Sequence, residues 1–160
     1  MDLKLYLEKS ENELELAKIV FRITEDKKMQ EETFHITQPL TFYSSVITHS
    51  YYCIFYAAKA YLLKHGVKTS APNEHKKTYD ELKKLVEKGI VDLDLLKLYE
   101  KIMIRADTLL GIFKTEKKKR GQFTYQKLPQ ANKEPAKESL DKAKLFYKNI
   151  YGMCQKEKIF

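Results

Sequence analysis

The sequence predicts an all-α fold, an antiparallel up-and-down bundle of about five helices. Three observations carry the prediction. Glycine and proline are scarce, at 5 and 4 copies in 160 residues, while lysine, leucine and glutamate abound. That composition favours helices over a turn-rich β fold. Apolar residues recur every three or four positions, the spacing of one buried helical face. The breaks between these stripes are short, which sets successive helices antiparallel.

Leu3, Leu7, Ser10, Leu14, Ala17 and Phe21 form the first stripe. They predict a helix over 2–30 that fades through EDKKMQEE and closes at HITQP. Pro39 disfavours helical geometry at Gln38, so a new element starts near residue 39 or 40. Residues 40–65 are the most hydrophobic part of the chain. Ile47, Tyr51, Ile54, Ala58 and Leu62 make one stripe, and Tyr52, Phe55, Tyr56 and Leu63 widen it. A helix apolar almost all round belongs at a bundle centre or in a dimer interface, and Gly66 fits its left-handed stop. A shorter helix follows over roughly 74–88, with Tyr79, Leu82, Leu85 and Val86 inward, and Gly89 ends it. Asp92 caps the next, where Leu95, Tyr99, Ile102, Ala106, Leu109 and Phe113 repeat the stripe. This helix is expected to run through EKKKR and stop at Gly121. After a loop with two prolines, the last helix sets Ala136, Leu140, Ala143, Tyr147, Ile150 and Cys154 on one face.

The length suits one domain over 1–160 with one core. Net charge is +8, which favours a polyanionic partner, although lysine-rich surfaces also serve solubility alone. Cys53 and Cys154 fall in apolar helical patterns and read as buried free thiols, not a disulfide framework. Charges run through MDLKLYLEKSENE, so no signal peptide is expected, and no apolar run reaches the roughly 18–20 residues of a membrane span. The expected location is the cytoplasm.

No metal and no cofactor is expected. His35, His49, His65 and His75 are scattered, without HExxH or clustered Cys/His spacing, and no Walker loop, GxGxxG or GxSxG occurs. His49 reads as a core-edge histidine hydrogen-bonded to a neighbour. His75, near the start of its helix, reads as a surface or capping residue. Arg105 borders the buried stripe and needs a carboxylate or an anionic ligand, because an unpaired buried charge costs several kcal/mol. The run 117–127 holds five cations with Phe and Tyr as its only bulky apolar side chains, apart from them KKKRGQFTY offers only small or polar groups. Lys118, Lys119, Arg120 and Gln122 suit phosphate, and neighbouring aromatics stack on unpaired bases. A cationic helix end facing its own dipole gives the same composition. Composition leaves both readings open.

A resemblance narrows them. SSVITHSYYCIFYAAKAYLLKHG resembles the second helix of the HEPN family, with Tyr51, Tyr52, Phe55, Ala57, Ala58 and Ala60 in its Tyr-Tyr-x-x-Phe-x-Ala-Ala-x-Ala run and two leucines, Leu62 and Leu63, before the glycine, Gly66. His75 matches a histidine in the family's next segment. Arg120, Phe123 and Tyr125 match a late Arg-x-x-φ-x-Tyr, where φ is apolar. The resemblance covers about residues 2–150 and is strongest to the small stand-alone bacterial and archaeal branch, related to toxin partners of minimal nucleotidyltransferases. It implies a helical bundle, usually a homodimer, and in many relatives a metal-independent ribonuclease using Arg-x4–6-His. There the arginine stabilises the transition-state phosphate and the histidine transfers protons. Carried onto this chain, the arginine is Arg120, and Tyr125 holds the histidine's place after four intervening residues. No histidine follows Arg120, and Arg105 has none at that spacing. Tyrosine, with a pKa near ~10, is a poor proton shuttle at neutral pH.

The expectation is a dimeric HEPN-like protein that binds RNA or a nucleotide, an accessory or toxin–antitoxin component beside a nucleotidyltransferase. Two alternatives stand next to it. One is an active endoribonuclease with an Arg120/Tyr125 site, or with His49 or His75 supplied from another helix. The other is a structural module that binds protein.

Overall fold

The computed structural model describes residues 2–110 and 132–156. Among the described residues six helices follow one another and no strand occurs. They are α1 (Leu3–Glu25), α2 (Lys27–Glu32), α3 (Tyr43–Lys64), α4 (Glu74–Glu87), α5 (Leu93–Leu110) and α6 (Lys133–Lys156). The first predicted helix is therefore two. Asp26 leaves helical geometry at φ −118° and ψ 88°, and its carboxylate accepts the Met29 N–H to start α2. The charge-rich run EDKKMQEE hid this break, because a polar helix and a polar corner have the same composition.

Gln30 then fixes the path to α3. Its side chain is fully buried. The amide nitrogen donates to the carbonyls of Ile23 and Leu40, and the amide oxygen accepts the Leu40 N–H, all at 2.9 Å. One side chain thus replaces a turn's worth of backbone bonds and sets up the start of α3 at Tyr43.

α3 is the central rod, in contact with α1, α4, α5 and α6. Val46, Ile47, Tyr51, Cys53, Ile54, Ala57, Ala58 and Ala60 are wholly buried, as its all-round apolar pattern predicts. Pairs of residues give the helix directions. The Tyr43 hydroxyl donates to Glu25, and the Ser10 hydroxyl donates to the Cys53 carbonyl at 2.6 Å, so α1 runs antiparallel to α3. The Lys64 amine donates to the Cys154 carbonyl at 2.9 Å, while Cys53 lies against Ala143, so α6 runs parallel to α3. The Lys133 amine meets Glu25 at 2.6 Å, bringing the start of α6 to the end of α1. The long helices α1, α3, α5 and α6 alternate up and down.

Gly66 and Gly89 take φ +75° and +74° after α3 and α4, the left-handed stops the sequence predicts. The Asp92 carboxylate accepts the Asp94 N–H at 2.8 Å and opens α5. Some stripe residues are only partly covered, among them Phe21, Tyr79 and Val86, which still pack against the core. Leu109 is 37% exposed at the described end of α5. In α6, Phe146 takes the deep position and Tyr147 is only partly covered. Both cysteines are buried thiols outside any disulfide. No described helix is long and apolar enough to cross a membrane.

Candidate functional site

Lys118, Lys119, Arg120, Gln122 and Tyr125 lie outside the described residues, as do Phe113 and the predicted stop at Gly121. Their frame is described. α5 delivers the chain at Leu110, and α6 takes it up again at the bundle end where α1 finishes and α3 begins. The other candidates, Arg105, His75 and His49, fall on α5, α4 and α3.

Arg105 is buried, at 8% exposure. Its guanidinium donates to Glu138 Oε2 at 2.7 Å, to the Pro135 carbonyl and to the Ser139 hydroxyl, tying α5 to the first turns of α6. Lys101 bonds the other oxygen of Glu138. Partial burial pushes the Glu138 carboxyl up, but hydrogen bonds from Lys101 and Arg105 outweigh it and hold the group at about 2. The carboxylate demanded by the sequence position of Arg105 is present, and the arginine braces the start of the helix that follows the 111–131 segment.

His75 corrects the sequence reading. It is not a surface cap but part of an aromatic nest. Asn73, in the left-handed region at φ +59°, turns the chain into α4, and His75 in the first turn lies over α3. Its ring stacks on Phe55 with centroids 4.3 Å apart, and Tyr52 meets it edge-on. Nδ1 is 2.7 Å from the Tyr51 hydroxyl. Tyr51 is fully buried, and burial, reinforced by the neighbouring Tyr99, raises its phenol well above the ordinary range. Burial likewise lowers the His75 pKa and favours the neutral imidazole, while the charges of Glu74 and Asp107 pull the other way. The Tyr51 hydroxyl holds Nδ1, so the two ring nitrogens are not equivalent.

Two further residues escaped the sequence reading. Asp107 is a buried carboxylate on α5 whose charge is felt by both Tyr51 and His75. Its only signal was its place two residues after Arg105 on a largely apolar helix. Lys59 is buried on α3, where it pairs with Glu74 and stands over the Tyr6 and Phe55 rings at 5.0 and 5.4 Å. Its pairing with Glu74 raises its pKa against the opposing effect of burial. A lysine in YAAKA gives no hint of a partner fifteen residues on.

His49 matches its reading. It is about a quarter exposed, with Nδ1 2.6 Å from Glu13 Oε2 across the α1–α3 seam. The two histidines are thus held differently, one by a carboxylate and one by a neutral phenol. Among the described residues no group of three or more His, Cys, Asp or Glu side chains is arranged to hold a metal ion.

The HEPN domain model matches residues 31–153. That span includes α3 through most of α6, both histidines, Arg105 and the Arg120–Tyr125 motif. No curated protein and no solved structure matches the chain. The helical bundle, the second-helix signature and a family match over more than half of the sequence agree: the chain belongs to the HEPN domain family.

Proposed function

We propose that this chain is a cytoplasmic, single-domain, homodimeric HEPN protein that binds RNA or a nucleotide and works beside a nucleotidyltransferase, as an accessory or toxin–antitoxin component. Lys118, Lys119, Arg120 and Gln122 hold the phosphate, and Tyr125 stacks on or bonds to the ligand. The observation that carries this reading is Arg120-x4-Tyr125 inside the family match. The local charge supports it: Lys114, Lys117, Lys118, Lys119, Arg120 and Lys127 face only Glu116 between residues 111 and 131, so most of the net +8 is concentrated there. Clustered cations release counterions from phosphates, and the resulting affinity falls steeply with salt.

Fluorescence anisotropy with a labelled tRNA at two salt concentrations tests the proposal. An Arg120→Ala/Lys119→Ala protein is expected to bind roughly tenfold or more weakly, with a salt slope shallower by about 2. Equal binding by the two proteins would overturn it.

The second reading is metal-independent RNA cleavage, with Arg120 stabilising the phosphate and His75 carrying the proton in place of the missing histidine. Its support is that burial favours the neutral His75 imidazole and Tyr51 holds its ring; the base reading takes the tautomer in which Nδ1–H donates to the Tyr51 oxygen. Cleavage of cellular RNA in EDTA that is lost in both Arg120→Ala and His75→Ala, but kept in His49→Ala, is the expected signature. Absence of cleavage removes this reading and leaves binding intact.

A further inference from the structure

We propose that the α6 face centred on Gly152 docks an amphipathic helix of a partner protein, one that carries acidic side chains beside its apolar stripe. Leu145, Lys148, Asn149, Gly152, Met153 and Lys156 recur at helical spacing and line an open trough of about 420 Å³. This face is separate from the buried face of α6, where Phe146, Ile150 and Cys154 meet the core.

Gly152 is unexplained by the fold of the chain itself. It lies inside α6, where glycine weakens a helix. Among the described residues a Cβ built at this position meets nothing within 4 Å. The described bundle therefore gains nothing from the missing side chain. A bare helical backbone becomes useful when a second helix crosses close to it, because small residues shorten the interaxial distance. Two turns away, Leu145 is 50% exposed and supplies the apolar anchor such a crossing needs.

Charge selects the occupant. Lys148 and Lys156 are the charged residues that line the trough, and from Leu145 to Lys156 the helix carries no acid. Lys64 adds a further amine at the carbonyls of Met153 and Cys154. A second copy meeting this face about a two-fold axis would set lysine against lysine, which disfavours self-association. Nucleic acid would gain from the lysines but nothing from Leu145 or the bare backbone at Gly152. An acidic amphipathic helix uses all three features, with charge steering the encounter and the apolar stripe holding it.

The test places photo-reactive benzoylphenylalanine at Asn149 of the full chain, in the cells that natively make it, and sequences the cross-linked segment by mass spectrometry. The expected adduct is to a segment with helical apolar periodicity and flanking Asp or Glu. Its yield should fall about tenfold in Gly152→Leu and in Lys148→Glu/Lys156→Glu. A synthetic peptide of that segment should bind the wild type with an affinity that weakens as salt rises. Gly152→Ala should raise the Tm of the chain by a few degrees, showing that the fold does not need the glycine. An adduct to a second copy or to RNA, no adduct, or a yield indifferent to Gly152→Leu in a chain with wild-type circular dichroism would each overturn the proposal.

Discussion

The α3–α4 nest and the α5–α6 seam hold the bundle together by opposite means. In the nest, Tyr51, Phe55 and His75 pack ring against ring, and a hydrogen bond links the Tyr51 phenol to the His75 imidazole. In the seam, Lys101 and Arg105 share the carboxylate of Glu138. The nest draws chiefly on apolar burial. The seam works through charge and is undone when Glu138 takes up a proton. The difference shows in what each holds, because the seam anchors the helix that follows the basic segment, whereas the nest fastens the start of α4 to α3.

Substitutions should separate the two. The largest effect is expected from Tyr51→Ala, which opens a cavity in the centre of the bundle and should cost about 3–5 kcal/mol in urea unfolding, equally at low and high salt. Next is Arg105→Ala, which strips a mostly buried charge from its carboxylate and should cost about 3 kcal/mol at neutral pH. Its companion is Glu138→Gln. The Glu138 carboxyl is lowered in the folded chain, so its contribution is complete above the ordinary carboxylate range and is lost as pH falls toward about 2. The stabilities of wild type and Glu138→Gln should therefore converge on acidification. A constant gap would show that the seam is held by packing.

Smaller effects probe the nest. Tyr51→Phe removes one hydrogen bond and should cost about 1 kcal/mol. His75 has a lowered pKa, so its share of stability is complete above pH 6.5 and is lost as pH falls through its folded value. A His75→Gln chain should lack that part of the acid sensitivity, and nuclear magnetic resonance of the imidazole should place its titration below 6.5. The smallest effect is Lys101→Ala, where an exposed amine contributes less than about 1 kcal/mol.

The nest and the seam also differ in how far the sequence revealed them. The α3 stripe was legible because apolar periodicity needs no knowledge of partners, and Gly66 and Gly89 marked helix ends by their own backbone freedom. Arg105 announced a need for a carboxylate by its place beside an apolar stripe. The identity of that carboxylate, Glu138, depends on how α5 and α6 meet and was out of reach. His75 was misjudged for the same reason, since Tyr51 lies 24 residues away and helical spacing carries no information across a turn. The break at Asp26 was hidden by polar neighbours. Arg120 and Tyr125 were found through a family motif, whose spacing encodes a chemistry that local periodicity does not.

The pairing of α1 with α3 has a practical consequence for where this protein can be cut. The family match begins at residue 31, beyond α1 and one residue past Gln30. α1 nevertheless covers α3 along its length, from Tyr43 at one end through Cys53 to Tyr56 near the other. The span that the family model matches and the set of helices that pack together therefore have different borders. A polypeptide trimmed to 31–153 would lose both the helix that shields α3 and the glutamine that clips its approach, and should come out of expression as aggregate. Any attempt to transplant the domain must carry the first thirty residues with it.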